Sequence, residues 1–373
     1  METFKLRCFW AAFYGLLWII FGRNVSLAIL VMHVIVIPLA FRSSKRVRGR
    51  FLYLPYARPF LDHDRPEKFG LEGARNVNVK FESSVDKCSI ELGVWHTLPK
   101  ALVKKHRYLL SNGSKDEINN VIDEELRKTE FPVFLYLHGV LGTRALPQRV
   151  ETCKFLQNLD AHVVSFDYRG FADSTNVTPI KIGMVEDSLA VYAWIRGLVG
   201  ARKPVFVWGH SIGSGIAQRA FSKLEPYSHS LLNLKEPLPP PQGMVVEGGY
   251  SSNIDLTKEY VVAKLATWLP PLEKMLMGVM SSSEVRILPA AYAALLRKVP
   301  VLILHSKDDG VIPYHFAEKH LVTKNWPTGQ NSGYSYLNSG DIAFLFTFSS
   351  FFTRFNSKPL LIFQSLHHKA QIR

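Results

Sequence analysis

Hydrophobic patterning divides the chain sharply. From Cys8 to Phe41 the sequence is apolar almost without a break, interrupted only at Gly22-Arg23-Asn24. At ~1.5 Å per residue this run is longer than a ~30 Å hydrocarbon layer requires. Two arrangements fit a membrane anchor: one tilted helix centred on Val25 to Phe41, or a short hairpin hinged at Arg23. A buried core helix is the competing reading, but a soluble helix keeps a polar face and this stretch has none. A cleaved signal peptide fits less well, because apolar sequence continues past any cleavage site.

A different pattern follows. After a proline-containing connector, alternating apolar positions in VNVKFESS (Val77–Ser84) and SIELGVWHTLP (Ser89–Pro99) predict paired strands. The polar stretch Lys104–Glu130 is expected to be a surface loop with some helix. Five short apolar runs then recur: Pro132–Gly139, Ala161–Gly170, Pro204–Ser211, Gly243–Tyr250 and Val299–Asp309. They are too short and too rich in β-branched and aromatic residues for helices. Between two of them Val185, Leu189, Tyr192 and Ile195 fall at helical spacing. This alternation predicts an α/β fold with a mainly parallel sheet and helices on both faces, its ligands at the C-terminal strand ends. LKEPLPPPQ (Leu234–Gln242) reads as a proline-rich surface insertion. The apolar section Ser251–Arg297 is expected to form a helical cap over the strand ends, ordinary crossover packing being the alternative. The expected domains are therefore 1–45 anchor, 46–75 connector, 76–322 catalytic domain with a cap at about 251–297, and 323–373 an atypical C-terminal segment.

Charge and cysteine content narrow the function. The net charge is +14, and a cluster of it lies in RSSKRVRGR (Arg42–Arg50), directly after the apolar run. That position suits a bilayer flank better than nucleic acid, which is not expected as a partner. Lys5 and Arg7 precede the run, so by the positive-inside rule the following domain stays in the cytosol. Sequons at Asn112 and Asn176 matter only if it is luminal. Cys8, Cys88 and Cys153 form no CxxC, and neither HExxH nor GxxxxGK[ST] occurs, so no metal, disulfide framework or cofactor is implied.

The chemistry concentrates at Gly209-His210-Ser211-Ile212-Gly213, a G-x-S-x-G sequence between a predicted strand and a predicted helix. A nucleophilic serine needs a sharp turn that projects its hydroxyl, with flanking glycines to relieve backbone clashes. The following helix N-terminus favours developing negative charge. Ser211 is accordingly the candidate nucleophile. Ile212 and Val140, the latter in the loop after LYLHG, are the candidate oxyanion-hole donors. Asp309, at the end of the Val299–Asp309 strand, is the candidate triad carboxylate in preference to Asp308. Asp167 and Arg169 in FDYRGFADS are expected to lock a loop rather than react.

With these residues in place, the chain resembles the membrane-anchored α/β-hydrolase lipases, and most closely the family of alpha/beta hydrolase domain-containing protein 12. The resemblance runs from about Phe51 to Val322. It rests on LGVWHTLP, LYLHG with GTR, VVSFDYRGFADS, VWGHSIGSGIA and LILHSKDDGVIP, of which GVWHTLP is the most family-specific. It implies an α/β-hydrolase fold and hydrolysis of lysophosphatidylserine or monoacylglycerols. It also implies an endoplasmic reticulum membrane with the catalytic domain luminal, the side opposite to the charge reading.

After Val322 the sequence departs from that family. A further strand, a loop with the catalytic histidine and a closing helix are expected there. His315 and His320 follow Asp309 too closely to serve, leaving His367 or His368 as the candidate base, after the strand-like PLLIFQSL. Two functions follow. One is a serine hydrolase acting on a lipid substrate through Ser211, Asp309 and His367 or His368. The other is a non-catalytic, hydrolase-like membrane protein that binds lipid or a protein partner because its histidine is missing or misplaced.

Overall fold

The computed structural model describes residues 2–55, 61–249, 274–275, 277–279, 299–306, 309–316, 336–339 and 342–346. Contacts divide the chain into two units, Met1–Leu52 with Ser252–Ile287 and Tyr53–Ser251 with Leu288–Arg373. The segments expected as the cap and as the atypical C-terminus lie largely outside the described residues, as do His367 and His368.

In the first unit, helix α1 (Glu2–Val31) passes into a π-helical turn (Met32–Val36), then α2 (Ile37–Ser43) and α3 (Lys45–Tyr53). The π turn has a local cause: Pro38 has no N–H, and its ring would clash with the carbonyl one turn back. Helix α1 is not continuous. Gly22 sits at φ 79°, ψ 169°, which no helical residue adopts. Beyond it the chain folds back, so that the Tyr14 hydroxyl hydrogen-bonds His33 Nδ1 and the Trp10 and His33 rings lie 4.5 Å apart. On one straight helix residues 14 and 33 would be about 28 Å apart. The structure thus takes the hairpin arrangement, with its hinge at Gly22.

The second unit holds the predicted α/β fold. A 3-10 turn (Pro66–Phe69) leads to β1 (Ala74–Glu82) and β2 (Ser89–Thr97), an antiparallel pair. The polar stretch that follows is more ordered than expected: α4 (Lys100–Lys105), α5 (Arg107–Asn112) and α6 (Lys115–Lys128). Ser114 and Glu117 form a reciprocal capping box at the start of α6. That S-x-x-E spacing was readable in the sequence and marks a true helix start. The core continues with β3 (Val133–Leu137), α7 (Pro147–Asn158), β4 (His162–Phe166), α8 (Lys181–Val199), β5 (Val205–His210), α9 (Ile212–Ser222), α10 (Leu224–Ser230), β6 (Gly243–Glu247) and β7 (Val301–Ser306). Strands β8 (Tyr336–Ser339) and β9 (Ile342–Phe346) complete the described sheet.

The strand order is β1-β2-β4-β3-β5-β6-β7-β9-β8. Pairings from β4 through β7 are parallel, whereas β1, β2, β8 and β9 pair antiparallel. The chain steps from β3 to β4 in one direction and from β4 to β5 and β6 in the other. Right-handed crossovers then put α7 on one face and α8 and α9 on the opposite one. Val133–Leu137 and Val205–Trp208 are buried throughout, as strands covered on both faces must be. Trp95, Phe134, Tyr136, Phe206, Trp208, Val245 and Leu302 are among the residues of one continuous core. The proline-rich insertion is held down rather than loose: Pro239 and Pro240 carbonyls accept from Tyr192 and Arg196 of α8. Because strand order reverses between β3 and β5, their C-terminal loops flank a crevice where α/β sheets bind ligands.

Candidate active site

Ser211 stands at that crevice, between the end of β5 and the start of α9. Its backbone has φ 54°, ψ −121°, a left-handed conformation that a non-glycine residue adopts only under constraint. The constraint is visible on each side. Ser211 N–H donates to the Glu247 carbonyl at 2.8 Å, and the Ser211 carbonyl accepts from Ser214 N–H and Oγ. A Cβ at Gly209 would lie 2.6 Å from Gly213 O, and one at Gly213 would lie 2.1 Å from Leu137 O. Both glycines of G-x-S-x-G are therefore required by close backbone approach, and the turn cannot relax without pulling α9 from β3 and β5. Ile212 occupies the first helical position of α9, where the amide N–H has no intrahelical acceptor.

The loop after β3 faces this turn. A Cβ at Gly139 would be 3.1 Å from Ser211 Cβ. The Gly139 carbonyl accepts from His138 Nδ1 at 2.7 Å and from Arg149 Nη2 at 3.1 Å. In a trans peptide C=O and N–H point in opposite directions. The Val140 N–H of that same peptide unit is consequently turned away from His138 and Arg149. Arg149 also takes the carbonyls of Val140, Leu141 and Thr143. This buried guanidinium gathers four carbonyls of one loop that includes left-handed Leu141 and Gly142. Burial pushes its pKa below the ordinary arginine value. The sequence reading missed Arg149. The signal was there: it shares a helix face with Cys153 and Leu156, both buried, where a charge requires partners.

Asp309 lies just beyond β7. Its Oδ1 accepts from Val311 and Ile312 N–H, each at 2.8 Å, which fixes the carboxylate. Oδ2 faces the position above Gly248 at the end of β6, and the side chain is 24% exposed. Oδ1 is thus held by backbone donors while Oδ2 accepts no hydrogen bond among the described residues, an arrangement compatible with a triad carboxylate. His305, 3.7 Å from Oδ2, is not the base, since its Nε2 donates to the Ile312 carbonyl at 2.7 Å.

Asp167 and Arg169 are locked in networks, as the sequence reading expected. Arg144 of GTR reaches Asp167 Oδ2 (2.5 Å), both oxygens of Asp173 (2.6 and 2.7 Å) and Asn76 Oδ1 (2.9 Å), and lies over the Trp95 ring. Burial opposes ionisation of Asp167, but Arg144 outweighs it and holds the carboxyl well below the usual range. Arg169 binds Asp187 through its Nε and Nη2, and Glu186 and Asp86 beside it. The motifs GVWHTLP, GTR and FDYRGFADS, distant in sequence, thus meet at one buried guanidinium.

A family model for the alpha/beta hydrolase fold matches residues 132–237, which carry the Val140 loop and the Ser211 turn. A lysophosphatidylserine lipase ABHD12 from Xenopus tropicalis is 31% identical over 287 residues, covering 76% of this chain and 67% of that protein. The rat ABHD12 is 30% identical over 301 residues, covering 80% and 68%. Human ABHD12B is 30% identical over 230 residues, covering 62% and 58%. On this identity and coverage, with the sheet and the serine turn that carry it, the chain belongs to the ABHD12 lysophosphatidylserine lipase family, serine ester hydrolases of the α/β-hydrolase fold.

Proposed function

We propose that this chain is a membrane-anchored lipase that cleaves the fatty-acyl ester of lysophosphatidylserine or a monoacylglycerol. Ser211 Oγ attacks the ester carbonyl as a histidine, His367 or His368, removes its proton and Asp309 orients that ring. The tetrahedral oxyanion is held by the Val140 and Ile212 amides. The C–O bond to the alcohol breaks, the histidine returns its proton to the leaving oxygen, and water then releases the fatty acid from Ser211. The observation that carries this reading is the positive-φ serine between β5 and α9, a costly backbone conformation of the kind held at reactive sites. The apolar N-terminal segment supports attachment to a bilayer, and the family resemblance supports the endoplasmic reticulum as its location.

The test is labelling by a fluorophosphonate probe together with lysophosphatidylserine turnover in the full-length protein. Both should be present in the wild type and lost in Ser211→Ala with folding retained. Folded wild-type protein that neither labels nor turns over would favour the non-catalytic lipid-binding reading. His367→Ala and His368→Ala, made separately, assign the base: the one that abolishes turnover supplies it.

A further inference from the structure

Four large apolar side chains of the second unit stand exposed among the described residues: Leu54, Tyr108, Leu141 and Val311. A single exposed apolar residue is ordinary. Two of these four, however, share one neighbourhood. Leu141 follows Val140 in the loop after β3, and Val311 lies two residues beyond Asp309 in the loop after β7. Strands β3, β5, β6 and β7 are adjacent and parallel, so both loops leave the same edge of the sheet as the Ser211 turn. At about 4.8 Å per strand the ends of β3 and β7 are roughly 14 Å apart, with the Ser211 turn between them at the end of β5.

Neither side chain is explained by its backbone. Leu141 has φ 61°, a left-handed conformation that glycine or asparagine takes at less cost than leucine. Its carbonyl accepts from Arg149 Nη2 at 2.5 Å, a tie that any residue could supply. At the next position, Gly142, a Cβ would lie 2.4 Å from Leu146 Cδ1. Glycine thus stands where space forbids a side chain, and leucine where one is left 47% exposed. Val311 repeats the pattern. Its N–H donates to Asp309 Oδ1 at 2.8 Å, again a backbone tie, while its side chain is 63% exposed. A Cβ at Gly310 would meet nothing within 4 Å, so this turn faces open space. Apolar surface left in water on an open loop is unfavourable until an apolar group covers it.

Resting on the reading that Ser211 cleaves a fatty-acyl ester, we propose that Leu141 and Val311 are contacts for the acyl chain and set a preference for long chains. With the ester carbonyl at the Val140 amide, the chain begins one residue from Leu141. Val311 stands across the crevice, beside the triad carboxylate. An apolar contact along the chain is the same before and during ester cleavage, so it acts through KM and not kcat.

The test measures kcat and KM of the full-length protein in detergent on p-nitrophenyl acetate, octanoate and laurate. Wild type is compared with Leu141→Asn, Leu141→Met and Val311→Ser. In each protein acetate is the reference, since an acetyl group has no chain to contact. The laurate-to-acetate ratio of kcat/KM should fall about 10-fold in Leu141→Asn and in Val311→Ser, through KM. Leu141→Met keeps an apolar side chain and should retain the ratio. Leu141→Asn should unfold at no lower urea concentration than wild type, because asparagine accepts the left-handed backbone. An unchanged ratio in either polar variant, or an equal fall in Leu141→Met, overturns the assignment. Damage to the oxyanion loop would lower acetate and laurate together through kcat, and is one such outcome. Wild-type protein that hydrolyses no ester would overturn the catalytic reading itself, a result distinct from an unchanged ratio in an active enzyme.

Discussion

Helices α1 and α8 are both apolar around most of their circumference, yet they occupy opposite environments. In α1, Trp18, Ile19 and Ile20 are exposed, Ile19 at 81%. In α8, Val185, Leu189, Tyr192 and Ile195 are completely buried. Hydrophobicity alone does not distinguish them. Their few polar residues do. The apolar run from Cys8 to Ser43 has no acid, and its charges, Arg23 and Arg42, lie at the turn and the end. Helix α8 carries Glu186, Asp187 and Arg196 inside the protein, each held by a specific partner: Arg169 for the two acids, Gln242 and several backbone carbonyls for Arg196. A charge inside an apolar helix marks a protein interior, because only there can fixed partners repay its desolvation. An apolar helix whose charges fall only at its turn and end needs no such partners along its length and suits lipid.

The largest expected effect breaks the α8 network. Arg169→Ala leaves Asp187 and Glu186 buried without their cation and should cost about 3–5 kcal/mol, read as a lowered urea midpoint. Next comes the direct contrast. Leu189→Ala in α8 should cost roughly 2–5 kcal/mol of hydrolase-domain stability, while Ile19→Ala in α1 should leave that domain's unfolding in detergent unchanged. Equal losses would mean that the two helices share one environment after all.

The buried guanidinium of Arg149 extends the contrast to catalysis. Arg149→Lys cannot hold four carbonyls, so the Val140 N–H should lose its fixed direction. On the oxyanion-hole reading, kcat should fall by about 10²-fold with KM little changed, as for loss of one donor. A matching rise in KM, or a collapse in thermal stability without a kcat effect on the folded fraction, would make Arg149 merely structural.

A smaller effect is tied to pH. Burial lowers the His162 pKa to about 3 from 6.5, and lowers that of His96, its hydrogen-bond partner at 3.0 Å, well below 6.5. Between pH 6.5 and 3 the unfolded chain binds protons that the folded one refuses, so stability should fall as the pH drops. Denaturation midpoints at pH 7 and 4.5 should differ less in His162→Gln than in wild type. The smallest is Ser114→Ala at the α6 capping box, about 1 kcal/mol in the same unfolding experiment.

Much of the fold was legible because its signals are local. A strand covered on both faces reads as a short apolar run, and all five such runs became strands β3–β7. The sharp turn at Ser211 announces itself through glycines two residues away, since the clashes they relieve are with the adjoining helix and strand. Asp309 was placed by its position after a strand, and its backbone donors are two and three residues downstream. The base could not be read in the same way, because a catalytic histidine carries no local pattern, and His367 and His368 lie outside the described residues.

What the sequence determined by itself, then, is whatever a few neighbouring residues can encode: strand and helix periods, the strained serine turn, the acid-free apolar run. Tertiary structure alone decided which motifs meet. Arg144 joins residues 68 positions away, at Asn76, and 23 and 29 away, at Asp167 and Asp173. Arg149 turns the β3 loop toward Ser211, and Tyr14 finds His33 only once Gly22 has reversed the chain. Periodicity reports which side of an element is buried; the partner of a buried charge is settled only when distant segments come together, because Coulomb and hydrogen-bond energies depend on distance in space and not along the chain.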